Sequence, residues 1–224
     1  MILGIDTAGP ADHVALVANE QILASFSLRQ PATGSRPLLR LIDAVCAQVG
    51  CTVADMAALA VNIGPGAFTG LRVGLATAQG LALAYAKPLI GSSAFDALVS
   101  LVPYWSGQLC PMLQAHRGEV YAALYHRQDD VMQETVAGMV LTPAALCAEI
   151  KERTLFLGSG VAAYGAALAA TLGEQAVCIN IVEAETGLAA TVARRGQARL
   201  QFAVSRSFRR WRSMRASPET MQRT

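Results

Sequence analysis

Asp6 closes the first apolar run of the sequence, ILGIDTA, directly ahead of the hydroxyl of Thr7. A carboxylate and a hydroxyl at a strand end can hold a metal-bound water beside a phosphate. The same Asp also serves as an ordinary turn residue that accepts backbone hydrogen bonds. Further on, GPGAFTGLRVG (residues 64–74) places four glycines in eleven positions. No Lys-Ser or Lys-Thr follows them, so this is not a Walker A loop, and Gly64, Gly66 and Gly70 are spaced GxGxxxG rather than as a dinucleotide fingerprint. Two uses stay open: amides presented to an anion at a helix start, or the close approach of two backbones. Asp6, Thr7, Gly64 and Gly66 are therefore the candidate nucleotide-binding residues. LGSG at 157–160 could receive an adenosine or be a plain strand-to-helix turn. His116, Arg117, Glu119 and Tyr121 cluster in QAHRGEVYAALY, but no nucleophile with an oriented base stands among them, and a hairpin turn accounts for them. Three histidines without HxxxH or HExxH spacing, and five cysteines without a CxxC pair, leave no metal site and no disulfide framework.

These residues must be held by regular elements. ILGIDTA, HVALVAN and ILASFSL read as three strands, the last two joined across Asn19, Glu20 and Gln21 as an antiparallel hairpin. In SRPLLRLIDAVCAQVG, Leu38, Leu41, Ile42, Val45 and Val49 recur every three or four residues. Ser35 can cap this helix, Pro37 sits in its first turn, and Gly50 ends it. The strand LAVNI and a helix over about residues 69–86 follow. That helix carries two small-residue rows: Gly70, Gly74, Ala78 and Ala82, and beside it Ala76, Gly80 and Ala84. Glycine inside a helix costs about 1 kcal/mol relative to alanine, so close helix contact must offset it, either on the chain's own sheet or on another subunit. Arg72 and Gln79 flank the first row. The second half repeats strand, strand, strand, helix, strand, helix: a hairpin around Arg117 and Gly118, VMQETVAGMV, a helix starting at Thr142 and Pro143, TLFLG, a helix over about 162–172, AVCINIV and a last helix over about 184–198. The repeat predicts an α/β protein of two lobes of mixed sheet with flanking helices.

Composition supports a packed globular chain. Of 224 residues 53% are hydrophobic and 15% charged, which excludes disorder. The longest uncharged window, residues 154–173, is broken by four small turn-forming residues, and the N-terminus lacks a basic flank, so a cytoplasmic protein without a membrane segment is expected. Charge is segregated. Residues 194–224 hold nine Arg and one Glu, whereas residues 1–193 hold nine basic and fifteen acidic residues. Within the tail, Phe208 and Trp211 stand among five Arg between 206 and 215. Such a segment reads either as a disordered, solvated tail or as an RNA-binding one.

ILGIDTA, GPGAFTGLRVGLATAQGLA, LIGSSAFDAL and QAHRGEVYAALY together resemble the TsaB (YeaZ) family of bacterial tRNA threonylcarbamoyladenosine biosynthesis proteins, in the actin, Hsp70 and sugar-kinase superfamily. The match covers residues 2–126, and to about 198 the element order and LGSG also fit. The resemblance implies two ribonuclease-H-like lobes, residues 1–100 and 101–200, followed by the tail at 201–224. It implies a non-catalytic scaffold that binds no cofactor alone, its nucleotide residues vestigial and ATP used by partner subunits. The partners would be a TsaD-like paralogue and a TsaE-like ATPase, with a homodimer when alone and tRNA met only through the complex. Family interfaces use the first two long helices, which places Leu38, Leu41, Ile42, Val45, Gly70, Arg72, Gly74, Ala78 and Gln79 at the pairing surface. The sequence departs from the family in PATGSRP, where a histidine-bearing segment is usual, and in its Arg-rich end. Two other functions are weighed beside this: an ATP-dependent small-molecule kinase using Asp6, and a peptidase, for which no Ser-His or metal site stands in the sequence.

Overall fold

The computed structural model describes residues 1–29, 37–129, 131–179 and 188–215, and the side chains of the last helix as far as Phe202. Strands β1 (Ile2–Asp6), β2 (Ala11–Ala18) and β3 (Gln21–Arg29) form an antiparallel meander. The β2–β3 turn has positive φ at both Asn19 (47°) and Glu20 (66°), as a two-residue hairpin requires. Helix α1 (Leu38–Val49) ends at Gly50, whose φ of 72° is the left-handed conformation that releases the chain from a helix. Ser35 lies outside the described residues. Strand β4 (Ala58–Asn62), helix α2 (Phe68–Ala84), strand β5 (Leu89–Ser92) and helix α3 (Ala94–Val99) complete the first half.

The second half repeats it element by element: β6 (Gln108–Gln114), β7 (Val120–Gln128), β8 (Val131–Leu141), α4 (Pro143–Glu149), β9 (Thr154–Leu157), α5 (Ser159–Leu172), β10 (Ala176–Ile179) and α6 (Leu188–Arg215). Thr142 caps α4 by accepting the Ala145 amide, with Pro143 in the first turn. The first half is thus longer by a strand and a helix, β5 and α3, than its reading from sequence, which names all eight elements of the second half. The sheets run β3-β2-β1-β4-β5 and β8-β7-β6-β9-β10, the same order in both lobes, each mixed because β4 and β9 pair parallel to β1 and β6. β5 is a half-buried edge strand of four residues and α3 has six, too short to show a period.

Side-chain alternation on the strands explains the layers. On β1, Leu3 and Ile5 face α1 and α2, meeting Leu38, Ile42, Val45 and Ala78. Ile2 and the small Ala15, Ala58 and Ala60 face the other way, onto α6 through Ala189, Val192 and Ala193. The second sheet buries Met112, Leu124 and Phe156 against α4 and α5, and turns Leu109, Ala123, Leu155 and Leu157 toward the middle layer. That layer consists of α3 and α6, and it joins the lobes. Chain order and space therefore differ. The last helix of the second half lies on the first sheet, while α3 packs Phe95 and Leu98 toward the second, so the boundary expected at residue 100 does not separate the packing units.

The helix-to-sheet distance at α6 is set by two glycines. A Cβ on Gly4 would lie 2.1 Å from the Ala189 carbonyl oxygen, and one on Gly196 would lie 2.7 Å from the Ala60 Cβ. A polar lock holds the middle layer. Asp96 on α3 accepts from Arg195 Nη2 at 2.7 Å and from the Tyr125 hydroxyl at 3.0 Å, and Arg194 Nε donates to the Glu20 carbonyl at 2.9 Å. Burial raises the Tyr125 hydroxyl above its ordinary pKa, and the Asp96 charge beside it adds to the rise. Helix α6 does not stop near residue 198. Its backbone continues through Arg215, so residues 201–215 of the expected tail are helical, and residues 216–224 lie outside the described residues.

Gly4→Ala is expected to cost about 3 kcal/mol of unfolding free energy, the upper end of overpacking, because the obstacle is a carbonyl rather than a movable side chain. Gly196→Ala should cost about 1–2 kcal/mol, since the opposing Ala60 is a side chain on a strand that can shift slightly. Urea unfolding midpoints decide the matter, and an unshifted Gly4→Ala midpoint would rule out this spacing.

Candidate functional site

The carboxyl ends of β1 and β4 are parallel neighbours, so Asp6 and Asn62, the last residue of each, sit side by side between the lobes. Asp6 Oδ1 accepts from the Asn62 amide at 2.8 Å and from the Ala8 backbone N–H at 3.0 Å. Asn62 Oδ1 in turn accepts from Gly64 N–H at 2.9 Å, and the Gly64 carbonyl accepts from Ala94 N–H at 2.7 Å. The glycine loop is thereby tied at once to β1, β4 and α3. Its approach to the β1 loop is close: Ala67 N–H donates to the Ala8 carbonyl at 2.8 Å, and a Cβ on Gly66 would meet the Ala8 Cβ at 2.6 Å. Gly64 has a φ of 102°, a conformation that glycine supplies without strain.

These residues floor an interlobe cleft of about 590 Å³. His13 lines it from β2, Gln114, His116 and Tyr121 from the β6–β7 hairpin, and Gly158 and Ser159 from the start of α5. The N-termini of α2 and α5 thus face the same space, an arrangement that favours negative charge. Ser159 Oγ accepts from the Gln114 amide at 3.1 Å, closing α5 onto β6. Burial pushes the Asp6 carboxyl above its usual range, opposed by its hydrogen bonds from Ala8 and Asn62 and by His13, while Asp12 adds to the rise. Burial likewise lowers His13, against the pull of Asp6 and Asp12. His13 Nδ1 lies 2.7 Å from Ser27 Oγ. Among the described residues no three His, Cys, Asp or Glu side chains are placed to share a metal ion. None of the described helices is long and apolar enough to cross a membrane.

Of the residues singled out in the sequence, Asp6 and Gly66 line this cleft, and Thr7 and Gly64 lie beside it. Thr7 is a structural hydroxyl there, donating to the Gly70 carbonyl at 2.8 Å. Asn62 and His13 escaped notice, whereas Gly158 and Ser159 come from the LGSG segment noted in the sequence. A polar residue ending the apolar run ALAVN was the available signal for Asn62. His116 and Tyr121 line the cleft rather than only decorating a turn.

The expected pairing surface needs correction. Leu38, Leu41, Ile42 and Val45 are buried against the chain's own sheet, as are Gly70, Gly74 and Ala78. A Cβ on Gly74 would lie 2.2 Å from Thr7 Oγ1, so this row exists to seat α2 on the β1 loop. One stripe cannot face both its own core and a partner. Arg72 and Gln79 are exposed, and with them lies the second small row, Ala76, Gly80 and Ala84. A Cβ on Gly80 would meet nothing within 4 Å. Phe68 (63% exposed) and Leu83 (86% exposed) stand on this outward side, with the Arg72 guanidinium 3.9 Å from the Phe68 ring centre.

Residues 33–207 match the family model described as tRNA N6-adenosine threonylcarbamoyltransferase, TsaD. The tRNA threonylcarbamoyladenosine biosynthesis protein TsaB of Escherichia coli (strain K12) is 36% identical over 131 residues, 58% of this chain and 56% of that protein. The chain therefore aligns with little more than half the length of that relative. TsaB of Bacillus subtilis (strain 168) is 26% identical over 160 residues, 70% of each chain. Among solved structures, YeaZ from Pseudomonas aeruginosa superimposes with a TM-score of 0.63 at 25% identity, covering 74% of this chain and 78% of that one.

Two outcomes follow from this geometry. Because the Asp6 carboxyl is raised above the ordinary 3.8, its favourable contribution is complete below that value and is lost as pH rises through the folded value. Asp6→Asn should therefore melt above the parent chain at neutral pH and converge with it near pH 3; a lower melting temperature at neutral pH would contradict it. On α2, Gly74→Ala should cost about 1–3 kcal/mol. Gly80→Ala should add about 1 kcal/mol through helix propensity alone, and equal effects of the two on urea unfolding would refute the inward and outward assignment.

Proposed function

The chain belongs to the tRNA N6-adenosine threonylcarbamoyltransferase (TsaD) family, in its TsaB (YeaZ) branch, and from that premise we propose that it is the non-catalytic scaffold subunit of a threonylcarbamoyl-transfer assembly. It pairs with a TsaD-like paralogue and helps recruit a TsaE-like ATPase, while the partners bind and use ATP. Alone it forms a homodimer through the same surface. The assembly acts on the adenosine beside the anticodon in tRNA.

The observation that supports this most is the outward face of α2. Gly80 leaves an open surface between Ala76 and Ala84, and Phe68 and Leu83 offer apolar area at its side. A partner helix can approach closely over such a row, and aromatic and aliphatic anchors supply the binding free energy. The cleft fits a retired site. Asp6 is held by Asn62 and Ala8, and the Gly64 and Ala67 amides, which a phosphate loop would turn outward, are spent on Asn62 and Ala8.

A second reading rests on the same cleft: about 590 Å³ with a carboxylate on its floor and two helix N-termini facing it could hold a nucleotide for a small-molecule kinase. Calorimetry with Mg-ATP on the isolated chain, with Asp6→Ala as control, separates the two. Tight binding that the variant loses favours the kinase, and no heat favours the scaffold.

Gly80→Trp and Leu83→Asp should each weaken co-purification with the TsaD-like subunit by about ten-fold or more without lowering the melting temperature, as expected for a hot spot at an interface centre. Undiminished co-purification of both variants would overturn the pairing surface.

A further inference from the structure

Helix α6 is longer than the sheet it crosses. Twenty-eight residues make a helix of about 42 Å, whereas the five-residue β1 it crosses spans about 17 Å. The packed part accounts for the first thirteen residues. Leu188, Ala189, Val192 and Ala193 lie in the middle layer, Gly196 touches β4, and Leu200 is the last among the described residues to pack against that core. Arg195 and Arg199 are committed to Asp96, and Arg199 also donates to the Gly91 carbonyl. Past Leu200 the backbone stays helical for fifteen more residues, about 22 Å.

Residues 201–215 contain five Arg and no acidic residue, and none occurs between Glu185 and Glu219. Their positions work against an isolated helix. Arg206 and Arg210 are four apart, and Arg206 with Arg209, Arg209 with Arg212, and Arg212 with Arg215 are three apart. Like charges at these spacings each destabilise a helix by about 0.2–0.5 kcal/mol, a cost that a polyanion removes. At about 100° per residue the five positions spread over roughly 220° of the circumference, which leaves no continuous apolar half for lying on a bilayer. Five positive charges within ten residues, about 15 Å of helix, meet about nine phosphates of a duplex, one per about 1.7 Å with both strands counted. The rest of the chain is net acidic, residues 1–193 carrying six more acidic than basic residues.

We propose that residues 201–215 of α6 form a basic helical arm that binds RNA by its phosphate backbone. Its occupant is the tRNA on which the assembly acts, an assignment of the RNA that rests on the function proposed above. The subunit then touches tRNA itself, beyond the expectation that it meets tRNA only through its partners. Phe208 and Trp211 lie within the same segment and add stacking partners for unpaired bases.

The test is fluorescence anisotropy of a tRNA transcript, with an adenosine beside its anticodon, titrated with the full chain between 50 and 200 mM salt. The parent is compared with two variants in which Arg206, Arg209, Arg210, Arg212 and Arg215 are all replaced, once by Gln and once by Lys. The Gln variant should bind about ten-fold or more weakly, with a salt slope shallower by about 4, as loss of five phosphate contacts requires. The Lys variant should keep the parent slope, which separates charge from damage to the fold. Equal affinity and slope in parent and Gln variant, absence of parent binding, or preference for anionic phospholipid vesicles over tRNA would each overturn the arm. Co-purification of the Gln variant with the TsaD-like subunit is read in parallel. Pairing without an arm effect sinks only this inference, and an arm effect without pairing sinks only the scaffold.

Discussion

The approach of α6 to the first sheet is the contact on which the architecture depends. Two sheets share one helical layer, so that layer must be thin enough for both to bury against it. Gly4 and Gly196 let the helix backbone come within reach of the strand backbone, and Ala58, Ala60, Ala189 and Ala193 keep the rest of the seam shallow. Larger residues would hold α6 away and open the middle layer to water. The two halves exchange their last helices across this layer. Asp96 fixes the exchange by accepting from Arg195 on α6 and Tyr125 on β7, charge-assisted bonds in a partly buried setting.

The cleft follows from that arrangement. Once β1 and β4 are locked side by side, their ends bring Asp6 and Asn62 together, and the glycine loop has only the β1 loop on which to rest. Gly66 against Ala8 and Gly74 against Thr7 are two such contacts on opposite sides of the loop and helix start. The loop resembles a phosphate cradle in composition, yet the Gly64 and Ala67 amides are consumed internally. A loop built to bind an anion would leave such donors unpaired. The buried carboxyl of Asp6 is kept at a cost in stability, which fits a position whose chemistry mattered more than its packing.

Apolar area and charge are placed on separate surfaces. Helix α2 has small residues on two sides. One side disappears into the core and the other, with Phe68 and Leu83, faces outward. The acidic body and the basic extension of α6 segregate opposite charges along one chain. Positive charge is thereby concentrated at one end of the chain, apart from the exposed apolar residues of α2.

Much was legible from residue order. The period of Leu38, Leu41, Ile42 and Val45, the turn at Asn19 and Glu20, and the cap at Thr142 and Pro143 are local, and local sterics and hydrogen bonds decide them. The repeated element order and the family motifs were enough to expect two mixed-sheet lobes, and the charge segregation is a matter of counting. Tertiary structure alone decided which small-residue row of α2 is buried, because glycine and alanine on both sides leave almost no hydrophobic contrast for a period to reveal. It alone paired Asn62 with Asp6 across 56 residues, set α6 on the opposite lobe's sheet, and carried that helix past residue 200. Those features depend on which surfaces meet, and a side chain's identity does not encode the neighbour that will cover it.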